Sequence, residues 1–495
     1  MIETHISRVF LTGALAYKIK RPVTLPFLDF GSLERRRAAC EDEVRLNRRL
    51  APELYLGVVA VNVDDGGAPG LRIDGEGRPV EYAVQMRQFP DDARLDRVLA
   101  RGELTAEHLR TFATRLAEFH QQADPVVDDE SLGTPEQIRA EALANLDALE
   151  DHPAIAAATL AALREHTERE LARLRPVLAA RRGAGRVREC HGDLHLENLV
   201  LREDRVVAFD CIEFSRALRV GDVMSEVAFT LMDLEHRGRP DLGVHFLDAW
   251  LAASGDYLGM SVLRLYLLYR ALVRAKVARI RADQRPGDPE PATDLVTRIA
   301  DARAYAAPPP RAPLVITHGL SGSGKSFQAA RLTGVGRAVR IRSDVERKRL
   351  LGDHPALYGA EATSRTYEHL AALAVPVLES GHAAIVDATF IDRRWRDRFH
   401  ALADSLGVPL RILWADADEA TLRARIAARA RRGDDPSDAD LAVLEWQRTR
   451  LEPLAAEERA LSIRVEPGTE PDATALAHAL LIPVIPCIHH PEETL

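Results

Sequence analysis

Two stretches of this chain combine residue types and spacings suited to phosphate chemistry. Gly319-Leu320-Ser321-Gly322-Ser323-Gly324-Lys325-Ser326 fits G-x-x-x-x-G-K-[ST], after the apolar run Leu314-Val315-Ile316-Thr317 and before the helix-forming Phe327-Gln328-Ala329-Ala330. Strand, glycine loop and helix is the context this motif requires. The glycines let successive backbone N–H groups turn inward round a phosphate, and the helix N-terminus adds partial positive charge. In such a loop Lys325 reaches the β- and γ-phosphates and the Ser326 hydroxyl ligates Mg²⁺. Gly319, Ser321, Gly322, Ser323, Gly324, Lys325 and Ser326 are thus candidate ATP-binding residues.

The second stretch, His191-Gly192-Asp193-Leu194-His195-Leu196-Glu197-Asn198, sets an aspartate five residues before an asparagine. In phosphoryl transfer this spacing lets Asp193 orient a hydroxyl and take its proton while the Asn198 side-chain oxygen holds Mg²⁺. A turn at Glu203-Asp204 then delivers Asp210, twelve residues after Asn198, as a second hard oxygen ligand. Downstream of the glycine loop, Arg342-Ser343-Asp344-Val345-Glu346-Arg347 follows a predicted strand. Asp344 is placed to align or deprotonate an acceptor hydroxyl, and Arg347 to hold an anionic group of that acceptor. A helix N-cap is the plain structural alternative for Asp344. Asp387, ending the next strand, belongs near Mg²⁺ or its water shell. Arg425, Arg429 and Arg432 fall on one helix face at i, i+4 and i+7, ahead of Gly433-Asp434-Asp435-Pro436. That suits a lid carrying guanidinium groups over a transferring phosphoryl.

The elements that must position these residues fall into two sets. Residues 6–11 and 14–20 read as a hairpin, 33–50 as a surface helix, and 56–63 and 80–89 as strands. Residues 104–180 and 222–305 are helical in pattern. After Pro308-Pro309-Pro310, strands predicted at 314–317, 338–341, 383–386 and 410–413 alternate with helices, which implies a parallel sheet. The expected division is 1–305 (small lobe 1–90, helical large lobe 91–305), a stiff linker 306–313, a second domain 314–482 and a tail 483–495.

At 495 residues, 46% hydrophobic and 28% charged, the chain has the composition of a soluble globular protein of two or three domains. Its net charge of −9 argues against charge-driven binding to nucleic acid. Cys40, Cys190, Cys211 and Cys487 show no CxxC spacing, so no zinc site or disulfide framework is expected, and Cys487, His489 and His490 read as a loose tail. No apolar run reaches membrane-spanning length and no signal-peptide pattern begins the chain, so a cytoplasmic location is expected.

On the residues of the 191–198 loop, the first part resembles the aminoglycoside phosphotransferase family, protein-kinase-like enzymes whose catalytic loop reads H-G-D-x-H-x-x-N. The resemblance implies a bilobal α+β fold, Asp193 as catalytic acid–base residue, and Asn198 and Asp210 as Mg²⁺ ligands. It implies a strand lysine on the phosphates, for which Lys18 and Lys20 in Ala16-Tyr17-Lys18-Ile19-Lys20 compete, paired with Glu43. It also implies an adenine hinge at Gln85-Met86-Arg87 and a later acid, Asp222, bracing the loop. A phosphate-covering glycine loop before the Lys18 strand is short or absent. The second part resembles small P-loop kinases such as gluconate kinase, polynucleotide kinase and zeta-toxin relatives, with an α/β fold.

Together these readings predict two ATP- and Mg²⁺-dependent phosphotransferase sites acting on hydroxyls of small molecules such as sugars, aminoglycoside-like compounds or nucleosides. The competing expectations are a nucleotide-gated regulatory protein with a degenerate first domain, and a kinase of nucleic-acid 5′ ends.

Overall fold

The structure, a computed structural model, describes residues 1–485 other than 5, 26–27, 64–69, 127–128, 130, 286, 353–358, 433–438 and 467. The expected readings of Gly433-Asp434-Asp435-Pro436 and of the tail with Cys487, His489 and His490 therefore lie outside the described residues. Two compact units emerge, Met1–Asp233 with Tyr269–Val296, and Leu234–Leu268 with Thr297–Leu495.

In the first unit a six-stranded sheet runs in the order Ile2–Glu3, Ser7–Leu11, Leu15–Lys20, Arg78–Arg87, Tyr55–Val63, Leu71–Ile73. The hairpin expected from the sequence is present, with Ser7 opposite Lys20 and Val9 opposite Lys18. Helix Leu33–Asn47 starts where the Ser32 side chain accepts from the Arg35 N–H, satisfying one of the orphan donors of a first turn. Its Cys40 and Val44 pack with Tyr55 and Val84 of the sheet and with Val200 and Val207. The last two belong to an antiparallel ladder, Leu199–Arg202 against Arg205–Ala208. Glu203 and Asp204 close it with φ of 46° and 62°, the left-handed pair of a tight hairpin turn. Helices Ala106–Gln122, Pro135–Asp147 and Ala157–Gly183 complete the expected helical region.

In the second unit five strands form one parallel sheet, ordered Ala338–Arg342, Ala383–Asp387, Leu314–His318, Leu410–Ala415, Ser462–Val465. Four were predicted, and the fifth, Ser462–Val465, was not. Leu314–His318 and Ala383–Asp387 are buried along their whole length, which is why each reads as an unbroken apolar run: a parallel sheet is covered on both faces.

The compact units divide elsewhere than at the expected proline linker. Residues 234–268, read by pattern with the first domain, pack in the second unit. There the Asp248 carboxylate of helix Pro240–Ser254 accepts from the Arg340 N–H at 2.7 Å, and the Tyr257 hydroxyl donates to the Arg340 carbonyl at 3.1 Å. Both partners lie on the edge strand of the parallel sheet, so these contacts satisfy backbone groups that an open edge would expose. Among the described residues no helix is long and apolar enough to cross a membrane.

Candidate functional sites

In the first unit the sheet and the glutamate helix set charge beneath a cleft. Ser7, Val9 and Leu11 lie opposite Lys20, Lys18 and Ala16, so all six share one face. Val9, Ala16, Lys18, Met86, Asp193 and Asp210 line the cleft. Lys18 Nζ donates to Glu43 at 2.8 Å and to Asp210 at 2.5 Å. Lys20 Nζ is fully buried and donates to the other oxygen of Glu43 and to Glu213. The competition between the two lysines thus has a geometric answer: Lys18 faces the cleft and Lys20 stands behind it. Burial works against the Lys18 ammonium, but Asp210 and Glu43 outweigh it and raise its pKa well above the ordinary value. Burial also opposes ionisation of Glu43, and the two lysines overcome it, lowering its carboxyl to about 2. Glu213, which the sequence reading missed, closes a ladder of alternating charge.

The 191–198 loop is held from several sides. Asn198 Nδ2 donates to Asp193 Oδ2 at 2.9 Å and to the Asp193 carbonyl at 3.0 Å. The half-buried position of Asp193 opposes ionisation, yet His195 and then Arg274 hold its carboxyl well below the usual range. Asp210 adopts φ 60°, its N–H donates to the Tyr55 hydroxyl at 3.0 Å, and the Cys211 N–H donates to Asn47 Oδ1 at 2.9 Å. Short polar side chains tolerate that left-handed region.

The loop-bracing acid is Glu226, not Asp222. Asp222 forms a bidentate pair with Arg181 at 2.7 and 2.8 Å. Glu226 Oε1 accepts from the N–H groups of His191 and Gly192, both at 2.8 Å, and Oε2 meets His120 Nε2 at 2.9 Å. The chain is still in strand at Asp222 and becomes helix at Val223, so the two acids face different partners. His120, Cys190 and Glu226 lie within metal-ligand reach of one another, but the Glu226 oxygens are already engaged by those donors.

Burial opposes ionisation of Glu226, but His120 and the Gly192 N–H overcome it and lower its pKa from 4.5 to about 2. A depressed folded-state pKa means the stabilisation is complete above pH 4.5 and is lost as pH falls toward 2, to a total of roughly 3 kcal/mol. Urea unfolding midpoints followed from pH 6 to pH 2.5 are therefore expected to fall less steeply in Glu226→Gln than in the parent; parallel curves would refute this.

In the second unit the glycine loop leaves strand Leu314–His318 and enters helix Lys325–Val335. Gly319 takes φ 145°, and a Cβ there would lie 2.2 Å from the Ala415 carbonyl oxygen, so only glycine fits. Ser326 Oγ donates to Asp387 Oδ1 at 3.0 Å, and Lys325 Nζ to the Leu320 carbonyl at 3.4 Å. Lys325, Ser326, Asp344, Arg347, Asp387 and Gln447 line one cavity. Asp344 is the second residue of helix Ser343–Leu351, whose N-cap position is held by Arg342, so the N-cap alternative does not describe it. Arg425 Nη1 donates to the Gly322 and Ser323 carbonyls at 3.3 and 3.1 Å. Arg429, expected beside it over the loop, donates instead to the Ala439 carbonyl at 2.5 Å, and the Arg432 side chain lies outside the described residues.

Both sites fit the groups their chemistry implies. The Ser323 and Ser7 hydroxyls are buried without a hydrogen-bond partner among the described residues, one within the glycine loop and one lining the first cleft. Asn198, Asp210, Ser326 and Asp387 are the hard oxygen donors that Mg²⁺ selects. Strands Ile2–Glu3 and Ser7–Leu11 are adjacent in the sheet, and Thr4 is tied to Ser7. The Thr4 N–H donates to the Ser7 carbonyl at 2.8 Å, and the Ser7 N–H to Thr4 Oγ1 at 2.9 Å.

Comparison with known proteins agrees with this division of labour. The family model described as Phosphotransferase enzyme family matches residues 27–266, and one described as AAA domain matches 314–454. An uncharacterized protein of Mycobacterium tuberculosis is 32% identical over 452 residues, spanning 89% of this chain and 88% of its own, and one of Mycobacterium bovis matches equally. Similar solved structures include a choline/ethanolamine kinase family protein from Mesorhizobium loti (16% identity, 61% of this chain and 86% of that one, TM-score 0.37). A second is the Mycobacterium tuberculosis APS kinase in complex with AMPPNP and APS (20% identity, 35% and 97%, TM-score 0.26).

Proposed function

The chain belongs to the family of these mycobacterial proteins, its own phosphotransferase domain precedes a P-loop kinase domain, and from that premise we propose two ATP-dependent sites that phosphorylate small-molecule hydroxyls. The observation that carries this reading is that each cavity joins an acid able to take a hydroxyl proton to groups able to hold phosphate. In the first these are Asp193 with Lys18 and Asp210, and in the second Asp344 with Lys325, Ser326 and Asp387.

In each site the acceptor oxygen attacks the γ-phosphorus in line, its proton passes to the aspartate, the new O–P bond forms, and the bond to the β-phosphate oxygen breaks, releasing ADP. Mg²⁺, held by Asn198 and Asp210 or by Ser326 near Asp387, supplies charge neutralisation when bound. Lys18, fixed by Glu43, and Lys325 set positive charge against the phosphates before the reaction begins, so little reorganisation is needed as charge develops. Arg347 offers an anchor for an anionic group of the second acceptor, and Arg425 carries a guanidinium at the loop. In the first cleft Lys18 and the buried Ser7 hydroxyl are the groups placed to meet the phosphates.

The test uses full-length protein, γ-labelled ATP, and a panel of sugars, nucleosides, aminoglycosides and a 5′-hydroxyl oligonucleotide. Label is expected on a small acceptor, with Asp193→Asn and Lys325→Ala each removing a different part of the transfer. Unchanged transfer in the double variant refutes the two-site reading. Nucleotide binding with no transfer to any acceptor points instead to a regulatory protein, and label on the oligonucleotide alone to a 5′-end kinase.

A further inference from the structure

The glycine loop is not only a cradle waiting for phosphate; one of its donors is already engaged by a side chain from elsewhere in the fold. The Ser321 N–H donates to Gln447 Oε1 at 2.9 Å. Gln447 lies on helix Leu441–Arg450, 126 residues away in sequence, is only 5% exposed, and lines the same cavity as Lys325, Ser326, Asp344 and Asp387. Its helix is anchored beside the loop. Leu444, one turn before Gln447, is fully buried with Leu422 and Ile426 of the arginine helix, and Leu320 of the loop packs against that cluster.

A carboxamide oxygen on a loop N–H occupies the kind of position a phosphate oxygen takes in such a loop. The carboxamide also carries two N–H donors on the same carbon as that acceptor. Turned about its last torsion, it changes from an acceptor for Ser321 into a donor toward an anion in the cavity. Lys325, which reaches the β- and γ-phosphates in loops of this kind, lines that cavity together with Asp344 and Asp387, which marks it as the terminal-phosphate end of the site.

We propose that Gln447 reads the terminal phosphate of the nucleotide: its carbonyl holds the Ser321 N–H when no terminal phosphate is present, and its amide donates to that phosphate when one is bound. A diphosphate leaves the Gln447–Ser321 bond in place. A triphosphate displaces it and gains a charge-assisted bond in return, and the exchange is transmitted to the helix that Leu444 ties to the arginine helix. This inference rests on the reading of 319–326 as a nucleotide site.

Isothermal titration of the full chain with AMPPNP and with ADP, both with Mg²⁺ and in a Lys18→Met background that disables the first cleft, tests it. Gln447→Ala is expected to lower AMPPNP affinity about tenfold, the size of one charge-assisted bond, with ADP affinity changed less than about threefold. Gln447→Glu, the same shape but an acceptor only, is expected to lower AMPPNP affinity about a hundredfold while ADP again moves little. An unchanged AMPPNP-to-ADP ratio in both variants, or equal losses for both ligands, overturns the proposal. Binding of AMPPNP that survives Lys325→Ala unchanged would overturn the underlying nucleotide reading instead, so the two failures are distinguishable.

Discussion

Lys325→Ala is expected to lower phosphoryl transfer at the second site about a thousandfold, the effect of deleting a preorganised charge from a reaction that develops negative charge. The same change should leave the melting temperature unchanged or slightly higher. Lys325 is the first residue of helix Lys325–Val335, and a cation there opposes the partial positive charge of the helix N-terminus. The residue is thus mildly unfavourable for the helix, and its proposed role lies in the cavity. Lys325→Arg is expected to be nearly as inactive, because a planar five-donor fork does not replace a compact ammonium among inward-facing N–H groups. Initial rates in a full chain that also carries Asp193→Asn isolate the second site, and a thermal melt accompanies them. Activity lost together with several degrees of melting temperature would mean that Lys325 is structural, and unchanged transfer would mean that the loop is not the engine.

What could be read beforehand was what is local. Gly319 to Ser326 and His191 to Asn198 each carry their chemistry within eight consecutive residues, and the short apolar runs of the parallel sheet announce burial on both faces. What could not be read depends on closure over long distances or on where one element ends. Asp222 and Glu226 are four residues apart, and choosing between them as the brace of the 191–198 loop needs to place the strand-to-helix boundary at Val223. Lys20 looked like an equal of Lys18 because the two share a strand face. Only Glu213, 193 residues further on, shows that Lys20 is enclosed while Lys18 faces the cleft. Gln447 sits in Glu445-Trp446-Gln447-Arg448, a polar helix segment with no signal that it touches a phosphate loop. The amphipathic residues 234–268 likewise announce helices but not their partner. That partner is specified by Asp248 and Tyr257, whose side chains meet the backbone of Arg340.

At the first site, Asp193→Asn is expected to lower kcat about a thousandfold with little change in KM, as for removal of a general base. The fold should tolerate it. An asparagine carbonyl can accept the Asn198 Nδ2 bond now made to Asp193 Oδ2 at 2.9 Å, and the second Asn198 bond goes to the backbone carbonyl of residue 193. What is lost is the basic oxygen. The pH dependence separates this role from a merely positional one. His195 and Arg274 hold the Asp193 carboxyl well below the ordinary carboxylate range against the effect of its burial, so the base remains ionised as the medium is acidified. First-site kcat/KM is therefore expected to stay level from pH 7 down to about pH 5 as far as Asp193 is concerned. Replacing Arg274 by methionine removes a cation that favours the ionised form. The acid limb of the profile should then move to higher pH, while the Asp193→Asn chain shows no limb from this group at all. A profile in Arg274→Met that coincides with the parent, or an Asp193→Asn chain that loses affinity but keeps its kcat, would remove Asp193 from the proton transfer and leave Lys18, Glu43 and Asp210 holding a ligand without reacting it.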